Sequence, residues 1–232
     1  MMRLLKWIGL ALAGLLVLLL VIGFAVHEAR PQGEPGLAAE QLADKMLAAV
    51  NDQAWNATDR VAWNFADRHR YNWNKAQDSV TVTWGKYRVD LHTKTVTGRA
   101  FKNGLQITGN EADDLIADAW SYFCNDSFWL SAPFKIRDPG TQRSVVTLED
   151  GSEGLLVEYS TGGVTPGDAY LWQLNEQGMP VAYQMWVDII PVGGIRATWQ
   201  GYETLSSGAQ VSTVHEIGPY ILRLTELNST AH

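Results

Sequence analysis

Hydrophobic and polar positions change period along this chain, and each change marks an element. Residues 7–26, "WIGLALAGLLVLLLVIGFAV", contain no charge. As a helix this run would rise about 30 Å, the thickness of a bilayer's hydrocarbon core. "RPQGEPG" (30–36) then breaks any regular structure and reads as a linker. In "LAAEQLADKMLAAVN" (37–51), Leu37, Leu42, Met46, Leu47 and Val50 approximate one stripe, which predicts an amphipathic helix. From Val61 the period falls to two. Val61, Trp63, Phe65, His69, Tyr71 and Trp73 share one face of what reads as a single long strand. Asn64, Arg68, Arg70, Asn72 and Asn74 take the other face. "VTVTW" (80–84) and "KYRVDLHT" (86–93) continue the alternation around Gly85. Asn103-Gly104 inside "VTGRAFKNGLQIT" (96–108) signals a tight hairpin.

The period then lengthens. Thr108 and Glu111 have the spacing of a capping box, and Leu115, Ile116, Ala119, Trp120 and Phe123 form a helical face behind them. Cys124 sits on the edge of that face, Asn125 is expected to end the helix, and Phe128, Trp129 and Leu130 fall in a connecting segment before Pro133. Strand patterns return at 143–150, 154–160, 168–175, 180–190, 194–203 and 209–217, while 220–227 fits strand or helix. "STGGVTPGD" (160–168) reads as an irregular hairpin loop, since it lacks the Lys-Ser/Thr ending of a phosphate loop. The order helix, meander, helix, longer meander predicts an α+β fold: a single curved antiparallel sheet, an unclosed half-barrel, with helices covering one face, preceded by a transmembrane helix. The expected organisation is a cytoplasmic N-terminus (1–6), an anchor (7–26), a linker (27–36), the half-barrel domain (37–228) and a short tail (229–232).

Charge sharpens the location. Arg3 and Lys6 precede the apolar run, and all 25 acidic residues of this chain of net charge −7 follow it. Positive residues stay cytoplasmic, so the acidic domain is expected outside a bacterial inner membrane, in the periplasm, on a single-pass tether. The run is longer than a signal-peptide core and "FAVHEA" is a poor cleavage site, which favours an uncleaved anchor. With no basic patch, nucleic acid is excluded as a partner. One cysteine allows no internal disulfide, so packing, including ten tryptophans, must supply the stability.

Candidate chemistry is sparse. Cys124-Asn125-Asp126 could hold a thiol nucleophile, but burial on an apolar helix edge is the commoner fate of such a cysteine. Asp67 and His69, Asp90 and His92, and His215 and Glu216 are acid–histidine neighbours without the spacing of a metal site. No catalytic residue, metal or cofactor is expected. The aromatic residues are more informative. Trp63, Phe65, Tyr71, Trp73 and Trp84 come from early strands, Phe128 and Trp129 from the middle segment, and Trp172, Trp186 and Trp199 from late strands. Spread over a curved sheet, they either line an apolar concavity or fill a core.

"DAYLWQLNEQGMPVAYQMW" (168–186) resembles the late hairpin of the lipoprotein-carrier superfamily of LolA and LolB type, with an aromatic strand, a Gly-Pro turn and a second strand. "FCNDSFWLSAPFK" and "GGVTPGDAYLW" are similar to uncharacterised bacterial membrane-anchored proteins. The resemblance implies a half-barrel that buries acyl chains under a helical lid, with a lipid or acylated protein as ligand. The expected function is therefore a membrane-tethered domain binding a lipid in an apolar concavity, contacted by Trp63, Phe65, Tyr71, Trp73, Trp84, Phe128, Trp129, Trp172 and Trp186. The alternatives are a structural or interaction module of the envelope with a filled core, and a hydrolase using Cys124 or a histidine.

Overall fold

The computed structural model describes residues 26–161 and 166–231, and positions 7, 14 and 23 singly. Apart from positions 7, 14, 23 and 26, the segment read as an anchor lies outside the described residues. No helix among the described residues is long and apolar enough to cross a membrane.

Helix α1 (Leu37–Val50) forms as expected, but its buried stripe is Ala39, Ala43, Met46 and Val50; Leu37, expected on the stripe, is exposed, and Leu42 and Leu47 are half-buried, because the face turned inward is rotated toward the two alanines. Asn51, in the left-handed region at φ 59°, ends the helix, and its side chain caps the one-turn α2 (Asp52–Asn56) by accepting from Ala54 N–H at 3.3 Å. The stretch expected as one long strand is a hairpin. β1 (Thr58–Phe65) and β2 (His69–Asn74) pair antiparallel across a turn in which Ala66 and Asp67 both have positive φ, 51° and 55°. β3 (Ser79–Trp84), β4 (Tyr87–His92), β5 (Thr97–Lys102) and β6 (Leu105–Ile107) extend the meander. Asn103 and Gly104, at φ 52° and 81°, make the expected tight turn.

Helix α3 (Asn110–Ser131) departs from expectation at both ends. Gly109 is its N-cap, with no side-chain cap; Glu111 instead accepts from Lys102 Nζ at 2.7 Å, so no capping box forms. At the other end the helix runs through Cys124 and Asn125 to Ser131. Phe128, Trp129 and Leu130 are therefore helical, and a 3-10 turn at Ala132–Lys135, with Pro133 inside it, brings the stop.

The second meander comprises β7 (Thr141–Thr147), β8 (Glu153–Tyr159), β9 (Ala169–Leu174), β10 (Pro180–Trp186), β11 (Ile195–Thr198), β12 (Gln200–Thr204), β13 (Gln210–Ile217) and β14 (Tyr220–Ala231). The stretch that fitted strand or helix is thus a strand, and it takes in 229–231, expected as a tail, by pairing with β1. The expected single sheet is two by hydrogen bonding: a nine-stranded one, β12-β13-β14-β1-β2-β3-β4-β5-β6, and a five-stranded one, β11-β10-β9-β8-β7. They meet at Trp199, the one residue between β11 and β12, whose N–H donates to Val181 O at 2.8 Å. The sheets are curved and unclosed. α3 links the free edge strand β6 to the opposite edge strand β7, and it packs on β4, β5 and β13. Residues 27–34 are not a free linker: Glu34 bridges to Val145 of β7, and Glu28 is bonded to Gly193.

Candidate functional site

The interior faces of the sheets meet the helices through two aromatic clusters. In the first, Trp63 of β1 stacks on Tyr71 of β2, with centroids 4.5 Å apart and planes at 18°. Phe65 and Phe123 of α3 are buried beside them. Trp73 and Trp84 are half-buried at the margin, edge-on to Phe123 at 5.1 Å and to Tyr122 at 5.5 Å. The second cluster holds Trp172, Tyr183, Tyr170 and Trp199, with Phe128 of α3 packed 4.7 Å from Tyr170. Trp129 packs against both clusters. The structure therefore brings the expected residues to one interior, except Trp186. That side chain is on the opposite face of β10, against Leu156, Ala169 and Leu171, because its position is one removed from Met185, which points inward.

The second cluster is apolar yet carries stranded polar atoms. Trp172 Nε1, Trp199 Nε1 and Tyr159 OH are buried without a hydrogen-bond partner, as is Trp63 Nε1 in the first cluster, whereas the His215 ring lies between the backbone of Thr198 and that of Trp129. Leaving such a group unpaired costs about 1–3 kcal/mol. The ring groups of the cluster are neutral at pH 7, although at its margin Tyr170 OH donates to the buried Asp168 at 3.3 Å. Burial pushes His215 down to about 4 although its Nδ1 lies 3.0 Å from Thr198 O, and burial raises the Tyr183 and Tyr170 hydroxyls above their ordinary value.

Sequence reasoning missed the third feature. Asp126 of α3 is buried and holds three partners: Tyr71 OH donates to Oδ2 at 2.6 Å, His69 Nδ1 lies 2.7 Å from the same oxygen, and Asn125 Nδ2 donates to Oδ1 at 2.8 Å. His69 stacks on Tyr122 at 4.3 Å. A signal existed: Leu115, Ala119, Phe123, Asp126 and Leu130 follow one another at spacings of three and four, so a carboxylate stands on the apolar stripe. The residue expected beside His69, Asp67, sits in the β1–β2 turn and accepts from Asn64 Nδ2 at 3.0 Å. Asp90 bonds Thr81 at 3.1 Å, and His92 lies 3.2 Å from Thr95 Oγ1. Cys124 is half-buried, and burial pushes its thiol up to about 12, so the thiolate is scarce at neutral pH.

No group of three potential metal ligands occurs among the described residues. A groove of about 570 Å³ lies on the outer face of the first meander, lined by polar residues such as Arg60, Asn72, Asp90 and Arg99. It is separate from the aromatic interior.

No family model matches this chain, and no curated protein matches it. Among solved structures it is similar to a DUF1329 family protein from Desulfovibrio piger, at 10% identity and a TM-score of 0.42, over 84% of this chain and 93% of that one.

Proposed function

We propose that this chain is a membrane-tethered binding domain of the bacterial envelope that takes an acylated ligand between its curved sheets and its helices. The observation that carries this reading is the second aromatic cluster, where two indole N–H groups and a phenol are stranded among rings. A core built for stability alone pairs such groups or omits them. A guest with an apolar tail and an ester or amide carbonyl would cover the rings and accept from the indoles. Each methylene it buries contributes about 0.8 kcal/mol, so no charged partner is needed. Binding would be by burial, with no bond made or broken, and α1 is the element that would move to admit it.

A second reading, a structural or interaction module with a filled core, is favoured by one observation: Ala39, Ala43, Met46 and Val50 of α1 are all fully buried, as in a fixed packing helix. Native mass spectrometry of the full chain purified in mild detergent, followed by solvent extraction, separates the two. Binding predicts a co-purifying lipid at up to one per chain, and loss of it in Trp172→Ala together with Trp199→Ala. Full-length protein that carries no lipid and does not bind a fluorescent fatty acid after delipidation would leave the structural module.

A further inference from the structure

The loop between β10 and β11, residues 187–194, is "VDIIPVGG". Its tip residue Ile189 is 69% exposed. The loop is nevertheless held in place: Asp188 N–H donates to Asp168 Oδ1 at 3.2 Å, Ile190 N–H to Val187 O at 3.0 Å, and Gly194 N–H to Met185 O at 3.0 Å. It is also tied to the chain that emerges from the uncharged run. Gly193 N–H donates to His27 Nδ1 at 3.0 Å, Glu28 N–H donates to Gly193 O at 3.0 Å, and Trp186 Nε1–H donates to Glu28 O at 2.8 Å. The two meet even earlier, since a Cβ built on Gly23 would stand 3.9 Å from Val192 Cγ2.

We infer that this loop is a second membrane contact, a fixed apolar protrusion that seats Ile189 in the phospholipid headgroup layer and sets the orientation of the domain. The inference rests on the reading of residues 7–26 as a bilayer anchor. From Val26, the last residue of the run, to Glu28, bonded to the loop, the chain reaches at most about 7 Å. The headgroup region of one leaflet is roughly 5–8 Å thick. The Gly193 end of the loop, bonded to Glu28, therefore lies in or at the margin of that layer while the run is in the hydrocarbon, and Ile189, four residues away along the chain, is within about 14 Å of it. An exposed isoleucine is costly in water and favoured at that depth. The contact is not a cationic one, since the loop's own charge is the exposed carboxylate of Asp188 beside Ile189, and Arg30 is paired with Glu158 at 3.3 Å. Phosphatidylcholine should therefore suffice and anionic lipid should add little.

The test uses the full chain in phosphatidylcholine nanodiscs, with Cys124→Ala to remove the native thiol. An environment-sensitive fluorophore is placed at Ile189→Cys, at Leu16→Cys inside the run, and at Leu105→Cys, which is 74% exposed on the distant β5–β6 hairpin. Brominated lipids should quench the Leu16 and Ile189 probes at least two-fold and leave the Leu105 probe unchanged. Quenching at Leu16 without quenching at Ile189 overturns the second contact and leaves the anchor standing. Quenching at neither removes the anchor and the contact with it. Should the Cys124→Ala background not fold, hydrogen exchange of the unmodified chain gives the same answer. Amides 187–193 should be slowed at least two-fold in nanodiscs relative to detergent, against no change at 103–106; equal exchange at 187–193 in both overturns the inference.

Discussion

Asp126 is the residue whose environment departs furthest from its chemistry. A buried carboxylate costs several kcal/mol unless its lone pairs are met, and here Tyr71, His69 and Asn125 meet them. The network ties α3 to β2, so it is a stabilising clamp whose members are coupled. Asp126→Asn should lose about 2–3 kcal/mol in urea unfolding, and a double-mutant cycle with Tyr71→Phe should return a coupling of about 1–2 kcal/mol. Strict additivity would show that the bonds are dispensable. His215 makes a different prediction. Its folded value of about 4 lies below the ordinary 6.5, so the unfolded chain binds a proton that the folded chain refuses. The resulting stability is complete above pH 6.5 and is lost as pH falls toward 4, by roughly 3 kcal/mol. His215→Phe should flatten that limb of the stability–pH curve even if it lowers stability at pH 7. An unchanged acid limb in the variant would assign the loss to carboxylates instead.

The elements explain which parts were legible in the sequence. The alternation over 61–74 predicts one strand where the structure has the β1–β2 hairpin, yet the faces it predicts are the observed ones. Phe65 opposes His69, so Trp63 opposes Tyr71 and Val61 opposes Trp73, and directly opposed residues share a face. The turn was invisible because Ala66-Asp67-Arg68 contains neither glycine nor proline, although two of its residues adopt positive φ. That gives a direct test. A non-glycine residue pays a steric cost in the left-handed region, so Ala66→Gly should raise stability by about 0.5–1 kcal/mol, seen as a higher urea midpoint at unchanged slope. A loss of stability would mean that unfolded-state entropy outweighs the strain. The early ending assigned to α3 has the opposite origin. Asp126, Ser127 and Ser131 look like a polar break along the chain, but all three are buried: Asp126 against β2, and Ser131 Oγ on Ser127 O at 2.7 Å. The helical period places Asp126 on the buried stripe, but the partners that make its burial tolerable include Tyr71 and His69 of a distant strand, and no local pattern records those. The aromatic interior was legible for the same reason that Trp186 was not. Composition announces rings, whereas the face each one takes depends on strand parity within the 180–186 segment.

At the scale of the molecule, two clusters share one interior, and the helices differ in how firmly they close it. α3 runs from one sheet edge to the other and buries Leu115, Phe123 and Leu130, while Trp129 at its end touches both clusters. α1 buries two alanines, Met46 and Val50, leaves Leu37 75% exposed, and is strapped by ion pairs from Glu40 to Arg137 and to the largely buried Arg143 at 3.0 and 2.9 Å and from Asp44 to Arg137 at 2.7 Å. Such pairs are each worth about 1 kcal/mol or less. Opening α1 therefore exposes less apolar surface than opening α3, and the lower-cost opening is the one a ligand can use. In native-state hydrogen exchange of lipid-free protein, amides of residues 41–50 should exchange roughly 10- to 100-fold faster than those of residues 114–130, a gap of about 1.4–3 kcal/mol. Adding a long-chain fatty acid should narrow that gap by slowing α1 and leaving β3–β5 unchanged. If the two helices instead exchange at one rate that the fatty acid does not alter, α1 belongs to the global core. The curved sheets and their helices would then form a filled scaffold, with its stranded indoles left to buried water.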